Sequence, residues 1–350
     1  MHGGDIYRNK TDLDFSVNIN PMGPPSEVET VLSEAVLSVN RYPDLYHEKL
    51  KKSITDLFDL SQEEVIFGNG ASELIMAVCH EIMPQKALIL SPGFSGYEYA
   101  LMGACKDCNI SYHSLLEEDD FTLKEDILQR LREETPNLLF LTNPNNPNGK
   151  LIEKNLLEEI ITVCEEQNTI VVLDECFLPL TGFEKRLSFS YRTREYKNLI
   201  VLRAFTKTFA IPGVRLGYAL CQKELAEAIK RHLPEWNISV FAQMAGEECM
   251  KHLDYLEKSV ELIQKERSYL SGELEKLGYK VYPSDANYIL FRSNRTDLAE
   301  KLLRDGILIR DCWDYKGLSK GYYRIAVKTH MENERLLSML KKDCEKVDGN

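Results

Sequence analysis

NLLFLTNPNNPNGKLIEKNLLEEIITVCEEQNTIVVLDE, residues 137–175, reads in one pass as strand, loop, helix and strand. The two strand-like runs, NLLFLTN (137–143) and TIVVLDE (169–175), are apolar almost throughout rather than alternating. A strand of that kind is covered on both faces, as in a parallel sheet whose crossovers are helices. The helical run NLLEEIITVCEEQ (155–167) supplies the crossover.

The same pattern repeats outward from this unit. EVIFG (64–68), KALILSP (86–92), NLIVLRA (198–204) and VRLGYAL (214–220) are further strand-like runs, and SELIMAVCHEIM (72–83) is helical. An α/β fold with a mostly parallel central sheet flanked by helices follows. After Pro234 the pattern changes to a long helical stretch over 239–275, then YKVYPS, NYILFRS, ILIRDC and YYRIAV around the helical DLAEKLLRDG. That is a smaller α+β unit. The first 30 residues carry Pro21, Pro24 and Pro25 and read as an extended arm. The expected organisation is an arm (1–30), a large domain (31–238) and a small C-terminal domain (239–350).

Composition limits the function. The chain has 350 residues, 43% hydrophobic and 28% charged, with a net charge of −12. No basic run exists to neutralise phosphates, which argues against nucleic acid. No apolar run approaches the roughly 18 residues of a membrane helix. The opening MHGGDIYRNKTDLDF is polar, unlike a signal peptide. Nine cysteines are scattered, and Cys79, Cys164 and Cys176 sit among apolar residues. Cys105 and Cys108 form a lone CxxC, a weak zinc or redox signal without a second pair. A reducing cytoplasm is the expected compartment. The seven histidines show no metal-ligand spacing.

Ligands of open α/β sheets bind at the carboxyl ends of strands. After EVIFG comes Gly68-Asn69-Gly70-Ala71-Ser72-Glu73, opening a helix. Glycines before a helix N-terminus make an anion site, or a tight turn capped by Ser72. After NLLFLT comes NPNNPNG (143–149), richer in Asn and Pro than capping requires. After TIVVL comes Asp174-Glu175, which could also be a cap or a surface turn. After NLIVLRA comes Thr206-Lys207, with Arg215 beyond it. A lysine flanked by Phe205 and Phe209 needs a reason, since lysine is rarely buried unpaired.

Together these groups describe one ligand. A phosphate fits the Gly70–Ser72 helix end, with Arg215 and Thr206 as further donors. Asp174 can hold a protonated ring nitrogen, Asn146 can donate to a ring hydroxyl, and Lys207 can condense with an aldehyde. Pyridoxal 5′-phosphate (PLP) presents all four groups. The sequence resembles the fold-type I PLP enzymes of the aminotransferase class I/II superfamily over nearly its whole length. The resemblance implies that Lys207, in FTKTF, forms the Schiff base and that Asp174 pairs with the pyridine nitrogen. It implies that Asn146 meets the ring 3′-oxygen and that Phe94, in SPGFSGY, stacks on the ring. Ala71, Ser72, Thr206 and Arg215 would hold the phosphate. Tyr42, in NRYPD, would reach the phosphate of the other subunit, so a homodimer with shared active sites is implied.

Two groups within the superfamily compete: histidinol-phosphate aminotransferases, and the L-threonine-O-3-phosphate decarboxylases of cobalamin synthesis. The HGGD arm with LDFSVNINPMGPP, the acid motif LDECF, the pair AIPGVRLGY and LPEWNISVFAQMAGE, and the C-terminal run from ANYILFR to NERLL are more similar to the decarboxylases. That similarity assigns a small phosphorylated amino-acid substrate to His2, Gly3, Asn18, Asn146, Arg310 and Arg324. Phe177 stands where most relatives have a tyrosine. A phenyl ring cannot hydrogen-bond the 3′-oxygen, so Asn146 would be its main neutral donor.

Overall fold

A computed structural model describes residues 3–348. In chain order the arm carries β1 (Leu13–Asp14), and α1 (Ser26–Ala35) and α2 (Glu48–Phe58) follow. Then come β2 (Val65–Gly68), α3 (Ala71–Ile82), β3 (Lys86–Ser91), α4 (Gly96–Ala104), β4 (Asn109–Ser114) and α5 (Asp126–Glu134). The opening stretch forms β5 (Leu138–Thr142), α6 (Lys154–Glu166) and β6 (Ile170–Asp174). Next are α7 (Glu184–Leu187), β7 (Leu199–Ala204), α8 (Phe205–Thr208), β8 (Gly217–Leu220), α9 (Lys223–Lys230) and α10 (Val240–Cys249). The C-terminal part holds α11 (Asp254–Lys276), β9 (Lys280–Val281), β10 (Tyr288–Arg292), α12 (Leu298–Arg304), β11 (Ile307–Leu308), β12 (Arg310–Asp311), β13 (Tyr322–Ala326) and α13 (His330–Asp348).

Seven strands make the central sheet in the order β2-β8-β7-β6-β5-β3-β4. Strands β4, β3, β5, β6 and β7 are parallel neighbours, and β8 joins β7 and β2 antiparallel. Alternate residues of one strand enter opposite cores. Leu139, Leu141, Val171 and Leu173 face α2, α5 and α6, while Leu138, Phe140, Val172 and Ile200 face α3, α4 and α9. Full burial on both faces explains why these strands are apolar throughout, each large aliphatic side chain contributing about 1.5–3 kcal/mol. The edge strand β4, NISYHS, was not foreseen; only His113 among its residues is buried. The CxxC just before it holds no metal cluster among the described residues, and Cys105 Sγ lies 3.6 Å from the Cys79 carbonyl.

The C-terminal unit is a four-stranded antiparallel sheet, β12-β13-β10-β9, packed against α11, α12 and α13. The arm is built into it: β1 pairs in parallel with β11, and Phe15 is fully buried in this second core. From there the arm crosses to the large sheet, where Asn20 bonds to the Lys207 and Thr208 carbonyls. One boundary expectation needs correction. The helical stretch over 239–275 is two helices, and α10 packs in the large core rather than the small one. Its Gly246 lies so close to α2 and the segment before β8 that an added Cβ would meet Leu216 at 2.6 Å and Leu50 at 3.0 Å. The change of unit falls along α11, whose Tyr255 and Leu256 lie on the large core while Leu270 and Leu274 enter the small one.

Candidate active site

A cavity of about 280 Å³ opens where the carboxyl ends of β5, β6 and β7 meet the N-terminus of α3, β12, β13 and the arm. Ala71, Ser72, Phe94, Asn146, Asp174, Thr206, Lys207, Arg215, Arg310, Arg324, Asn18 and Gly3 all line it. Residues spread over most of the chain therefore converge because the sheet ends and the arm do.

The anion end is α3. Its first turn presents backbone N–H groups and the positive end of the helix dipole. Gly70 precedes it at φ 78°, and Ser72 does not cap it, which leaves its hydroxyl for another partner. Arg215 Nη2 comes within 3.3 Å of Ser72 Oγ. An added Cβ on Gly70 would meet that guanidinium at 2.4 Å, so glycine is required for the approach. Arg215 itself sits at φ 60°, in the turn that delays β8 until Gly217.

The ring end is β6. Asp174 is buried, accepts from the Tyr97 hydroxyl at 2.8 Å and takes the Cys176 backbone N–H at 3.0 Å. Burial raises its pKa. No ion pair reaches it among the described residues. The neighbouring Glu175 turns the other way, onto Arg203, Ser188 and Ser190. Asn146 Oδ1 accepts from Arg324, with the Tyr315 hydroxyl at 3.5 Å, which leaves the amide N–H₂ to donate. Phe94 is set edge-on to Tyr97, with centroids 5.3 Å apart. Phe177 packs edge-on against Tyr288 and offers no donor. Burial, reinforced by Arg324, lowers the Lys207 amine to about 8.

At the far end Arg310 and Arg324 are directly paired across β12 and β13. Like charges placed opposite each other on adjacent strands are destabilising, so such a pair calls for an anion. Arg310 bonds to Asp314 at 2.8 Å and lies over the Tyr315 ring. Arg324 has no carboxylate partner among the described residues. It donates to Asn146, to the Ser16 carbonyl at 2.8 Å and to Tyr315 at 3.3 Å, and its Nε is buried without a partner. Asn18 Oδ1 is likewise buried without a partner.

His2 falls outside the described residues. Tyr42 does not line the cavity; it is exposed, its ring 4.9 Å from that of Trp236. Four residues were not foreseen: Tyr97, Cys176 and Tyr315, which reach the reactive groups, and Ser16, whose carbonyl anchors Arg324. Tyr97 closes the quoted SPGFSGY run, and Tyr315 follows Arg310 by five residues.

With this geometry in place, the profile of the aminotransferase class I and II family matches residues 10–340. The chain belongs to that family. Threonine-phosphate decarboxylase of Salmonella typhimurium (strain LT2) is 36% identical over 354 residues, covering 97% of this chain and 95% of the relative. Histidinol-phosphate aminotransferase of Clostridium acetobutylicum has a crystal structure with a TM-score of 0.88 and 33% identity, covering 95% of this chain and 99% of that one. The enzyme of that name from Sinorhizobium meliloti, solved in complex with pyridoxal 5′-phosphate, shares the fold at TM-score 0.87 and 20% identity, covering 97% and 92%.

The family's cofactor is pyridoxal 5′-phosphate, and this chain's cofactor is the same. The residues fit it on independent grounds. A buried carboxylate with only neutral donors suits a pyridinium, and the α3 N-terminus with Ser72 and Arg215 suits a phosphate. A lysine amine lowered to about 8 is available as a nucleophile near neutral pH, where an ordinary lysine is not.

Proposed function

We propose that this chain decarboxylates L-threonine O-3-phosphate to (R)-1-aminopropan-2-yl phosphate, for cobalamin biosynthesis. The observation that carries the reading is the opposed pair Arg310 and Arg324, with Asn18 beside them in the same cavity. These groups suit a small substrate that carries both a phosphate and a carboxylate. The 36% identity to a threonine-phosphate decarboxylase supports the same choice.

Bound PLP supplies an electron sink for the pair left at Cα when a bond there breaks. The chain's residues decide which bond that is. Arg310 and Arg324 would hold the substrate's phosphate and carboxylate and so fix its orientation in the cavity. Asp174 would keep the ring nitrogen protonated. Lys207 Nζ, in the same cavity, would supply the proton that takes the place of CO₂ on Cα. The arm, pinned at Asn20 and Ser16, covers the site against water.

The test is direct: purified protein loaded with PLP and given L-threonine O-3-phosphate should release CO₂ and aminopropanol phosphate. Absence of CO₂, with conversion of the cofactor to its amino form by an amino donor, would favour the second reading. That reading is an aminotransferase of the histidinol-phosphate type, supported by the 33% identical Clostridium acetobutylicum structure.

A homodimer belongs to the same proposal. Val36, Leu37, Val39, Tyr42 and Tyr46 are exposed within one short stretch, with the Tyr42 ring 4.9 Å from that of Trp236, and apolar side chains exposed together suit a protein–protein contact. Tyr42 would then reach the partner's phosphate site. Light scattering should give twice the chain mass. A cytoplasmic setting is also proposed, in keeping with eight unpaired cysteines among the described residues.

A further inference from the structure

The geometry points to Tyr97 as the positioning residue for Asp174, through a one-way hydrogen-bond chain from Thr142 to Tyr97 to Asp174. Thr142 and Asp174 end the neighbouring strands β5 and β6 and are register partners. The Tyr97 hydroxyl lies between them, 2.8 Å from Thr142 Oγ1 and 2.8 Å from Asp174 Oδ2. The ring has little freedom. It is 1% exposed, stacks on Phe140 with centroids 4.6 Å apart, and meets Phe94 edge-on.

The direction of the chain follows from chemistry. An ionised carboxylate only accepts, so Tyr97 must donate to Asp174. The tyrosine oxygen is then left to accept, and Thr142 is its donor. Burial pushes the Tyr97 phenol well up, so it keeps the proton it donates. Burial also works against the charge on Asp174, and the groups that oppose this are Tyr97 and Cys176, all neutral. Removing the phenol oxygen would take the hydroxyl donor from Asp174 Oδ2. The carboxyl would then take up a proton more readily and hold a pyridinium less well.

This inference rests on the cofactor assignment and not on which bond the enzyme breaks. The full chain, stripped of cofactor, is titrated with PLP and with 1-deaza-PLP, in which a carbon replaces the ring nitrogen. In Tyr97→Phe the affinity for PLP should fall about tenfold or more, the size of a lost hydrogen bond to a charged acceptor. The affinity for 1-deaza-PLP should stay within about twofold of wild type, because no charge then faces Asp174. Thr142→Val should shift PLP in the same direction by a smaller factor, and it carries the test alone if Tyr97→Phe does not fold. In an Asp174→Asn background, Tyr97→Phe should have no effect on PLP. Equal losses for both ligands, or no loss for PLP, would overturn the proposal. A failure to release CO₂ from threonine phosphate would leave the ratio of the two affinities untouched.

Discussion

Asp174 and Glu175 are adjacent, both buried, and both pushed up in pKa by that burial. Their surroundings differ. Glu175 takes Arg203 at 3.0 Å, the Ser188 and Ser190 hydroxyls and the Phe189 backbone N–H, and Arg203 is paired again with Glu184. Asp174 takes a phenol and a backbone amide and meets no cation among the described residues. A buried carboxylate satisfied within the chain belongs to the scaffold. One given only neutral donors leaves its charge to be balanced by what binds. The sequence reads DE at this point, and only the direction each side chain takes from the end of β6 separates the two roles.

Substitution should separate them as sharply. Asp174→Asn should reduce turnover to near background while the protein still folds, and Lys207→Ala should abolish both turnover and the visible absorbance of bound cofactor. Steady-state assay with circular dichroism checks both. Wild-type absorbance in Lys207→Ala would remove the PLP reading. Glu175→Gln should do the opposite. Breaking a buried pair from one side costs about 3–5 kcal/mol, read by denaturant unfolding, while turnover per folded molecule stays within about twofold. A Glu175 variant that folds well but does not turn over would break the comparison.

Lys207 sharpens it from the other side of the cavity. Burial, with repulsion from Arg324 added to it, holds its amine at about 8. Since the folded-state value lies below the usual 10.5, burial of the protonated amine destabilises the cofactor-free fold below about pH 8 and is relieved as pH rises through 8 toward 10.5. The rate of PLP uptake should rise about tenfold per pH unit below 8 and level off above it, as the neutral amine becomes the main form. Stopped-flow absorbance checks this; a rate that keeps rising beyond pH 9, about a unit above, would place the amine in an ordinary environment.

How much of this was legible in sequence follows from the same physics. Buried parallel strands are apolar to their last residue, so polar groups at their ends stand out. Lys207, Asp174, Asn146 and Ser72 were found that way, and the structure brings them together. Strand β4 was missed because an edge strand is half-solvated and NISYHS shows no apolar run. The break between α10 and α11 was missed because MKHL, residues 250–253, holds neither Gly nor Pro. Tyr97 and Tyr315 look like ordinary aromatics. Their meaning lies in hydrogen bonds to residues 77 and 169 positions away, to Asp174 and Asn146.

The smallest expected effect concerns a third carboxylate, Glu117, which fills the scaffold role at the seam between the two units. It follows β4 in the large domain and accepts from Tyr282 at 2.5 Å, Tyr322 at 2.7 Å, Lys280 at 2.9 Å and Arg292 at 3.2 Å, all from the C-terminal sheet. Led by the Tyr282 hydrogen bond, these donors lower it from 4.5 to about 2. A depressed carboxylate contributes stability that is fully present above its unfolded pKa and is lost as pH falls through its folded one. Wild type should therefore lose stability between pH 4.5 and about 2 more steeply than Glu117→Gln. Tyr322 starts β13, two residues before Arg324, so the same contact fixes the strand that delivers the substrate-facing arginine. Glu117→Gln should raise KM for a phosphorylated substrate about threefold, the scale of one partly exposed ionic contact, and leave kcat nearly unchanged. A fall in kcat with KM intact would mean that Glu117 acts on the reacting groups, and the line between scaffold and site drawn from Asp174 and Glu175 would not hold there.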